Sequence, residues 1–560
     1  MKEIQFFALG GLNENGKNFY LLKIKKSYFI IDAGLKYPNE IMYGIDCIIA
    51  DYNHLEKIKD QIQGIFLTSA LETYIGAFSY LIQYLKKPVY TSYFIMQVLK
   101  KYLKKHKIIY QDLELNILKD DQLVIFSDTK VSFFFITQCL PETLGLAFET
   151  EKGFIVYSNE VQLLQQKDKS FFTDFFKLTL IAKKKVLAFF TTSQGAFISG
   201  EQEKLQNIHY CLNTHFINLQ RNIIIVLLIP DLLKIQLIID IAIKRNLKIA
   251  ILGRKSQIIM DVALQKKYLK IPDSNFVNLK KIEDHLNYKN LVIIVVGKQF
   301  EPFYRLQRMC KKTDRLVHLT SEDKVLLMSI ESAGSARIYS KTLDFLSRNN
   351  VSIDILIKDL LTYSYNFSEN LKFMLNLLKP KYLIPISGEY RHQYQVKKIS
   401  NELDYLDKNI FLLENGDIFH YDFKKEPYVK KKAFKKLGEI LIDGTPVEDG
   451  NDFIMKDREF LAMDGVIMFI ANISIKNKKI LGKTELVSKG FITSTEVNNI
   501  FFVKLKQNFE NRIEFFLKQN NLKWLVFKKN LREELVKFIF KEIRKKPIVI
   551  PILITIGSNY

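Results

Sequence analysis

Cysteine is scarce in this chain of 560 residues: Cys47, Cys139, Cys211 and Cys310 stand far apart and no C-x-x-C pair occurs. That spacing excludes a disulfide framework and a zinc ribbon, and a reducing cytoplasm is the expected compartment. Long apolar runs are missing too. The most apolar stretch, Ile223 to Ile229, is interrupted by Pro230, Asp231 and then Lys234, far short of the ~20 residues of a membrane span, so no membrane partner is expected. The N-terminus carries Glu3 and breaks at Gly10 and Gly11, which is not the form of a signal peptide. Histidine offers eight residues, His54, His106, His209, His215, His285, His318, His392 and His420, with no H-x-H or H-E-x-x-H spacing among them. The pair His209 and His215 does not share a helical face, so these side chains read as structural. Acidic residues are outnumbered, 60 against 83 Lys+Arg, for a net charge of +23. Such an excess favours an anionic partner, nucleic acid above all, unless it reflects only a biased composition rich in Asn, Ile, Phe and Tyr.

What is present is a large globular chain, 48% hydrophobic, long enough for two to four domains. The first two hundred residues alternate short β-rich runs, such as Phe6-Ala8, Phe19-Leu22, Phe29-Ile31 and Val131-Ile136, with glycine turns, the pattern of a layered sheet sandwich. From about Glu203 to Lys358, strands at Ile223-Leu228, Lys248-Leu252, Leu291-Val296, Leu316-Leu319 and Lys324-Met328 alternate with helices, which predicts a parallel, doubly wound sheet. A Lys-rich segment, Lys424 to Lys436, reads as a linker. Beyond it, Glu439-Ile442, Val466-Ile475 and Ile548-Ile556 with two charged helical segments suggest a small α+β domain.

The segment Leu67-Thr68-Ser69-Ala70-Leu71-Glu72-Thr73-Tyr74-Ile75-Gly76-Ala77 follows a strand-like run and resembles the metallo-β-lactamase signature Leu-Thr-His-x-His-x-Asp-His-Ile-Gly-Ala. The signature's His, His, Asp and His fall on Ser69, Leu71, Thr73 and Tyr74. Leucine has no lone pair, and neutral hydroxyls are poor replacements for imidazole and carboxylate around zinc.

Further blocks, Ala8-Leu9-Gly10-Gly11 through Asn18, Ile31-Asp32-Ala33-Gly34, Met374 to Tyr382, Gly388-Glu389-Tyr390-Arg391, Ser488-Lys489-Gly490-Phe491 and Lys545 to Pro551, resemble the ribonuclease J family across essentially the whole chain. The resemblance implies an α/β protein: an αββα metallo-β-lactamase sandwich (1–202 and 359–423) split by a β-CASP domain (203–358), then a basic linker (424–437) and a C-terminal α+β domain (438–560). It also implies two-metal hydrolysis of RNA, in which paired cations polarise the phosphate and supply hydroxide.

Position by position, the family's ligands are replaced. Its remaining His, bridging Asp and C-terminal His fall on Gln138, Glu160 and Ser387, and the family's substrate-gripping His-Val-Ser-Gly-His segment aligns with Leu361 to Tyr365. Glu160 is the one retained carboxylate, so the zinc pair is not expected and at most one weakly held divalent cation is, with Glu72 and Glu142 as possible company. The phosphate-gripping residues have changed too: a family His falls near Leu233, and Phe300 stands for a glycine in Gly297-Lys298-Gln299-Phe300. Candidate RNA contacts are Lys298, Arg391 and the basic segment Lys424, Lys425, Lys430, Lys431, Lys432, Lys435 and Lys436, interleaved with Tyr428 and Phe434. Lys101, Lys104, Lys105 and Lys107 form a second basic cluster on an expected helix. The expected function is that of a non-catalytic, RNA-binding ribonuclease J-like subunit in RNA processing or decay. Its expected partners are RNA and either a second copy or an active paralogue. The alternatives are an active ribonuclease with an unconventional or single-metal site, and a protein scaffold without RNA contact.

Overall fold

The computed structural model describes residues 3–38, 42, 44–159, 162, 170–197, 205–216, 222–253, 256–281, 290–297, 300–328, 335–356, 367–434, 437–447, 451–491, 496–519 and 524–556. The chain divides into two compact units, Met1–Tyr37 with Ile48–Ile440, and Pro38–Cys47 with Leu441–Tyr560.

In the first unit, an eight-stranded and a six-stranded sheet lie face to face. Their central strands are buried on both faces because helices cover the outer sides, which is why a strand such as Phe19–Ile24 carries apolar residues at nearly every position. Its Tyr20, Leu22 and Ile24 enter the inter-sheet core with Phe190, Ile384 and Phe419, while Phe19 packs against Tyr52 of an outer 3-10 helix, ring centroids 5.4 Å apart. On the far side, Phe134, Val156 and Leu383 of the six-stranded sheet meet Leu178, Leu375 and Val396 of the helices Phe175–Lys183, Phe367–Leu378 and Tyr390–Asn401. This is the expected αββα sandwich.

The insertion holds five parallel strands in the order Lys248–Leu252, Leu291–Val296, Ile223–Leu227, Lys324–Leu327 and Ser352–Ile355, and its central strands are fully buried. The doubly wound β-CASP reading therefore stands. Leu316-Leu319 is not a strand, however. Asp314 Oδ1 accepts the N–H groups of Leu316 and Val317, at 3.0 and 3.3 Å, and turns the chain so that Val317 and Leu319 plug the core as a loop. Insertion and sandwich are tied where Tyr268 stacks edge-on to Phe94 at 4.9 Å and donates to Glu142.

The Lys-rich segment is also not a free linker. Tyr428–Lys430 pairs antiparallel with Ile418–Asp422 and forms an edge strand of the eight-stranded sheet, and Lys431 is ion-paired to Asp417 at 2.7 Å. Lysines on an edge strand discourage pairing with another chain, which gives the cluster a structural explanation beside the ligand-binding one.

The second unit has a three-stranded sheet in which Val466–Ser474 pairs antiparallel with Lys479–Lys489 and parallel with Ile548–Thr555. The helices Glu496–Leu517 and Trp524–Ile543 cover it through Leu505, Phe509, Leu531 and Leu535. No helix among the described residues is long and apolar enough to cross a membrane.

Candidate functional site

Six segments distant in sequence meet at the mouth of the sandwich. The centre is the loop after the strand Ile62–Phe66, stitched to the Asp32-Ala33-Gly34-Leu35 turn by backbone hydrogen bonds: Ala33 N–H to Tyr74 O at 2.6 Å, Leu35 N–H to Glu72 O at 3.0 Å and Ala77 N–H to Ala33 O at 2.9 Å. Gly34 makes this close approach feasible, since a Cβ there would lie 1.7 Å from Thr73 O. Leu144 N–H donates to Thr68 O at 2.9 Å and Asn159 Nδ2 to Thr68 Oγ1 at 3.1 Å, bringing in the segments that carry Gln138 and Asn159. Gly388 N–H donates to Glu14 O at 3.0 Å, which joins the Gly10 to Asn18 loop to the end of the strand Tyr382–Ile386.

Of the residues singled out from sequence, Ser69, Leu71, Thr73, Tyr74, Gln138 and Ser387 lie on these converging segments. Ser69 is buried and its Oγ accepts the Leu71 N–H at 3.4 Å; Leu71, Thr73 and Gln138 are half-buried. Tyr74 is only 7% exposed and interacts electrostatically with the phenols of Tyr20 and Tyr157. Ser387 holds a left-handed backbone, φ 50°, and its N–H donates to the Tyr20 hydroxyl while its carbonyl accepts from Ser193 Oγ. Glu160, Tyr365 and Lys298 lie outside the described residues, as do Lys435 and Lys436.

The floor of the site is Asp32, completely buried, also left-handed at φ 64°. Its carboxyl accepts from Thr68 N–H at 2.8 Å, Thr68 Oγ1 at 2.9 Å and Tyr157 Oη at 2.7 Å. Desolvation dominates these favourable donors and pushes its pKa up to about 7. Burial, with Asp32 and Tyr74 nearby, drives the Tyr20 and Tyr157 phenols well above their ordinary range, so both are neutral donors.

A pH dependence follows. Asp32 holds its proton more tightly folded than unfolded, so its contribution to stability is complete below about pH 4 and is lost as pH rises towards 7. Asn accepts a left-handed backbone and cannot ionise. Asp32→Asn is therefore expected to flatten the fall in stability between pH 4 and 7, an effect read as urea midpoint against pH for the two proteins.

The other acidic candidates are engaged elsewhere. Glu72 accepts from Tyr37 and from Tyr102 Oη at 2.8 Å, and Glu142 accepts the Phe94 N–H at 2.8 Å besides Tyr268. Among the described residues no group of three His, Cys, Asp or Glu side chains is placed to hold a metal ion. The donors around the loop are hydroxyls and an amide, which do not fit a pair of divalent cations. The described histidines have local roles. His215 bridges Asp354 at 3.0 Å, His420 meets Glu3 at 3.0 Å, and His392 Nδ1 accepts the Glu389 N–H at 3.1 Å. Leu233 sits half-buried in the helix Leu232–Lys244, and Phe300 precedes the helix Glu301–Cys310. Of the basic candidates, Arg391 is exposed and paired with Glu389 at 3.0 Å, and Lys424, Lys425, Lys430, Lys431 and Lys432 are exposed along the sheet edge.

The family described as "Ribonuclease J, beta-CASP domain" matches residues 220–346, and "Ribonuclease J C-terminal domain" matches residues 453–556. Along its full length the chain is 29% identical over 555 residues to Ribonuclease J2 of Bacillus subtilis (strain 168), covering 99% of each. These matches support the ribonuclease J family for this chain. Ribonuclease J 2 of Staphylococcus aureus (strain NCTC 8325 / PS 47) is likewise 29% identical over 552 residues, 99% of this chain and 98% of that one. A crystal structure of a protein of unknown function from Enterococcus faecalis V583 superposes with a TM-score of 0.49 at 13% identity, over 75% of this chain and 100% of that one.

The similarity to ribonuclease J along the whole chain fits the preserved loop frame, with left-handed Asn13, Lys17, Asp32 and Ser387 around one mouth. Such strained backbone is held only where surrounding packing over-determines it. The sequence comparison singled out the ligand positions but not the Tyr20, Tyr157 and Asp32 cluster behind them. Its available signal was the placing of Tyr20 and Tyr157, two residues with polar hydroxyls, within mostly apolar sheet strands.

Proposed function

We propose that this ribonuclease J-family chain is a cytoplasmic, non-catalytic subunit that binds RNA and associates with itself or with an active paralogue in RNA processing or decay. The observation that carries the reading is Tyr74. Where the family signature has a histidine, this chain has a buried tyrosine, 7% exposed, whose phenol interacts electrostatically with Tyr20 and Tyr157, in place of a metal ligand. Ser69, Leu71, Gln138 and Ser387 support it, because none of them replaces the charge needed to hold two cations close together. RNA binding is supported by the net charge of +23 and by the exposed lysines and arginine around the sandwich.

Metal analysis of the purified full-length protein, with a cleavage assay on labelled RNA in Mn²⁺ and in Mg²⁺, tests the first half. The expected result is substoichiometric metal and no cleavage above a protein-free control. Two tightly bound metals with cleavage abolished by Glu160→Ala would overturn it, and cleavage with one metal would transfer the assignment to a single-cation nuclease.

A further inference from the structure

We infer that the outer face of the helix Tyr390–Asn401 is a stacking platform for the bases of single-stranded RNA, running outward from the edge of the former metal site. The inference rests on the RNA-binding reading above and gives it a place. Helical geometry of about 100° per residue puts Tyr390, Arg391, Tyr394, Lys398 and Asn401 on one arc about 100° wide, and that arc carries no carboxylate. The opposite face, Gln393, Val396, Ile399 and Ser400, is buried, with Val396 and Ile399 in the core beneath the six-stranded sheet, so the helix is a fixed support.

The two tyrosines are the informative residues. Tyr390 is 53% exposed and Tyr394 44%, yet their rings lie nearly parallel, 20° apart in plane with centroids 6.4 Å apart. Lys398 Nζ stands 5.2 Å from the centre of the Tyr394 ring and has no ion-pair partner among the described residues. Among the described residues Arg391 has an exposed ion pair with Glu389 alone, the kind of contact a phosphate displaces at little cost. Two parallel rings with cations alongside match a sequence-tolerant grip on successive bases and their phosphates. Gly388, two residues before Tyr390, is bonded to Glu14 at the mouth of the site, so the platform begins there.

Fluorescence anisotropy of the full-length protein with a labelled oligoadenylate, and with an abasic ribose-phosphate oligomer of the same length, tests this. Tyr390→Ala and Tyr394→Ala are each expected to weaken oligoadenylate binding about tenfold while leaving the abasic oligomer unaffected, and Tyr394→Trp is expected to retain affinity. Lys398→Ala is expected to weaken both ligands and to reduce the slope of log affinity against log salt by about 0.7. Because the side chains are exposed, thermal melts of the variants should coincide with wild type. Wild-type affinity for oligoadenylate in both tyrosine variants would overturn the platform while leaving RNA binding intact. Absence of RNA binding by the wild-type protein at low salt would overturn both readings. Altered self-association in the variants with unchanged RNA affinity would mark the face as a protein interface and also overturn the proposal.

Discussion

Tyr74→Ala is expected to lower the stability of the first unit by about 3–5 kcal/mol, the range for removing a large buried aromatic side chain. The ring is buried, its backbone carbonyl accepts from Ala33, and its phenol interacts electrostatically with those of Tyr20 and Tyr157. Truncation would open a polar-lined void beneath the loop and remove contacts from two other phenols. Tyr74→Phe keeps the ring and should cost only about 1 kcal/mol through the lost hydroxyl interactions. The contrast has functional meaning. If position 74 were an idle ligand position, alanine would be nearly neutral; if it is repacked core, alanine is severe. Urea denaturation measures the difference, but tryptophan emission is the wrong probe, because the single tryptophan, Trp524, sits in the second unit. Near-ultraviolet circular dichroism of the tyrosines reports on the relevant unit, and a midpoint shift below that of Tyr74→Phe would sink the repacking argument.

Much of the fold was legible because its drivers are local. Ile223–Leu227 and Leu291–Val296 lie in short runs rich in β-branched residues and ended by Pro230 and Gly297, the pattern of a strand buried on both faces. Leu316-Leu319 misled because apolar residues at that spacing were reporting burial of Val317 and Leu319, not strand pairing; the bend comes from the Asp314 side chain, whose role depends on where it points. Lys424 to Lys436 misled the other way: its charge suggested a solvated hinge, whereas Tyr428–Lys430 finds a partner strand in Ile418–Asp422 just upstream. Lys479–Lys489 escaped notice for the same reason, since its lysines line the exposed side of a ribbon anchored by Val466–Ser474. At the site, loss of ligands could be read directly from residue types. The inward packing of Tyr74 could not, because its neighbours Tyr20 and Tyr157 come from two different sheets, and nothing in the local pattern of any one segment records their meeting.

Glu14→Ala is expected to be comparably damaging, about 3–5 kcal/mol, for an electrostatic reason. Its nearly buried carboxylate accepts from Gly11 N–H at 3.0 Å, Asn415 Nδ2 at 2.8 Å and Lys36 Nζ at 2.8 Å, and Lys17 Nζ lies 3.3 Å away. Burial alone would raise its pKa, but the Lys17 charge and the Lys36 hydrogen bond outweigh it and hold the carboxyl below its ordinary value. Its stabilisation is therefore present above the unfolded pKa of about 4.3 and is lost as pH falls through the lower folded value. Alanine would leave the buried Lys17 ammonium with Glu439 as its remaining carboxylate and would free the Gly10 to Asn18 loop from Asn415. Combining Glu14→Gln with Lys17→Met removes both charges at once, so the double variant should be more stable than the sum of the single changes predicts. Glu14 also holds Gly388 through its backbone carbonyl, at the start of the segment leading to Tyr390. A loosened loop should therefore weaken RNA binding in proportion to the mobility it gives Gly388. The outcome that would overturn this coupling is a folded Glu14→Gln protein with a markedly lower urea midpoint but unchanged affinity for oligoadenylate.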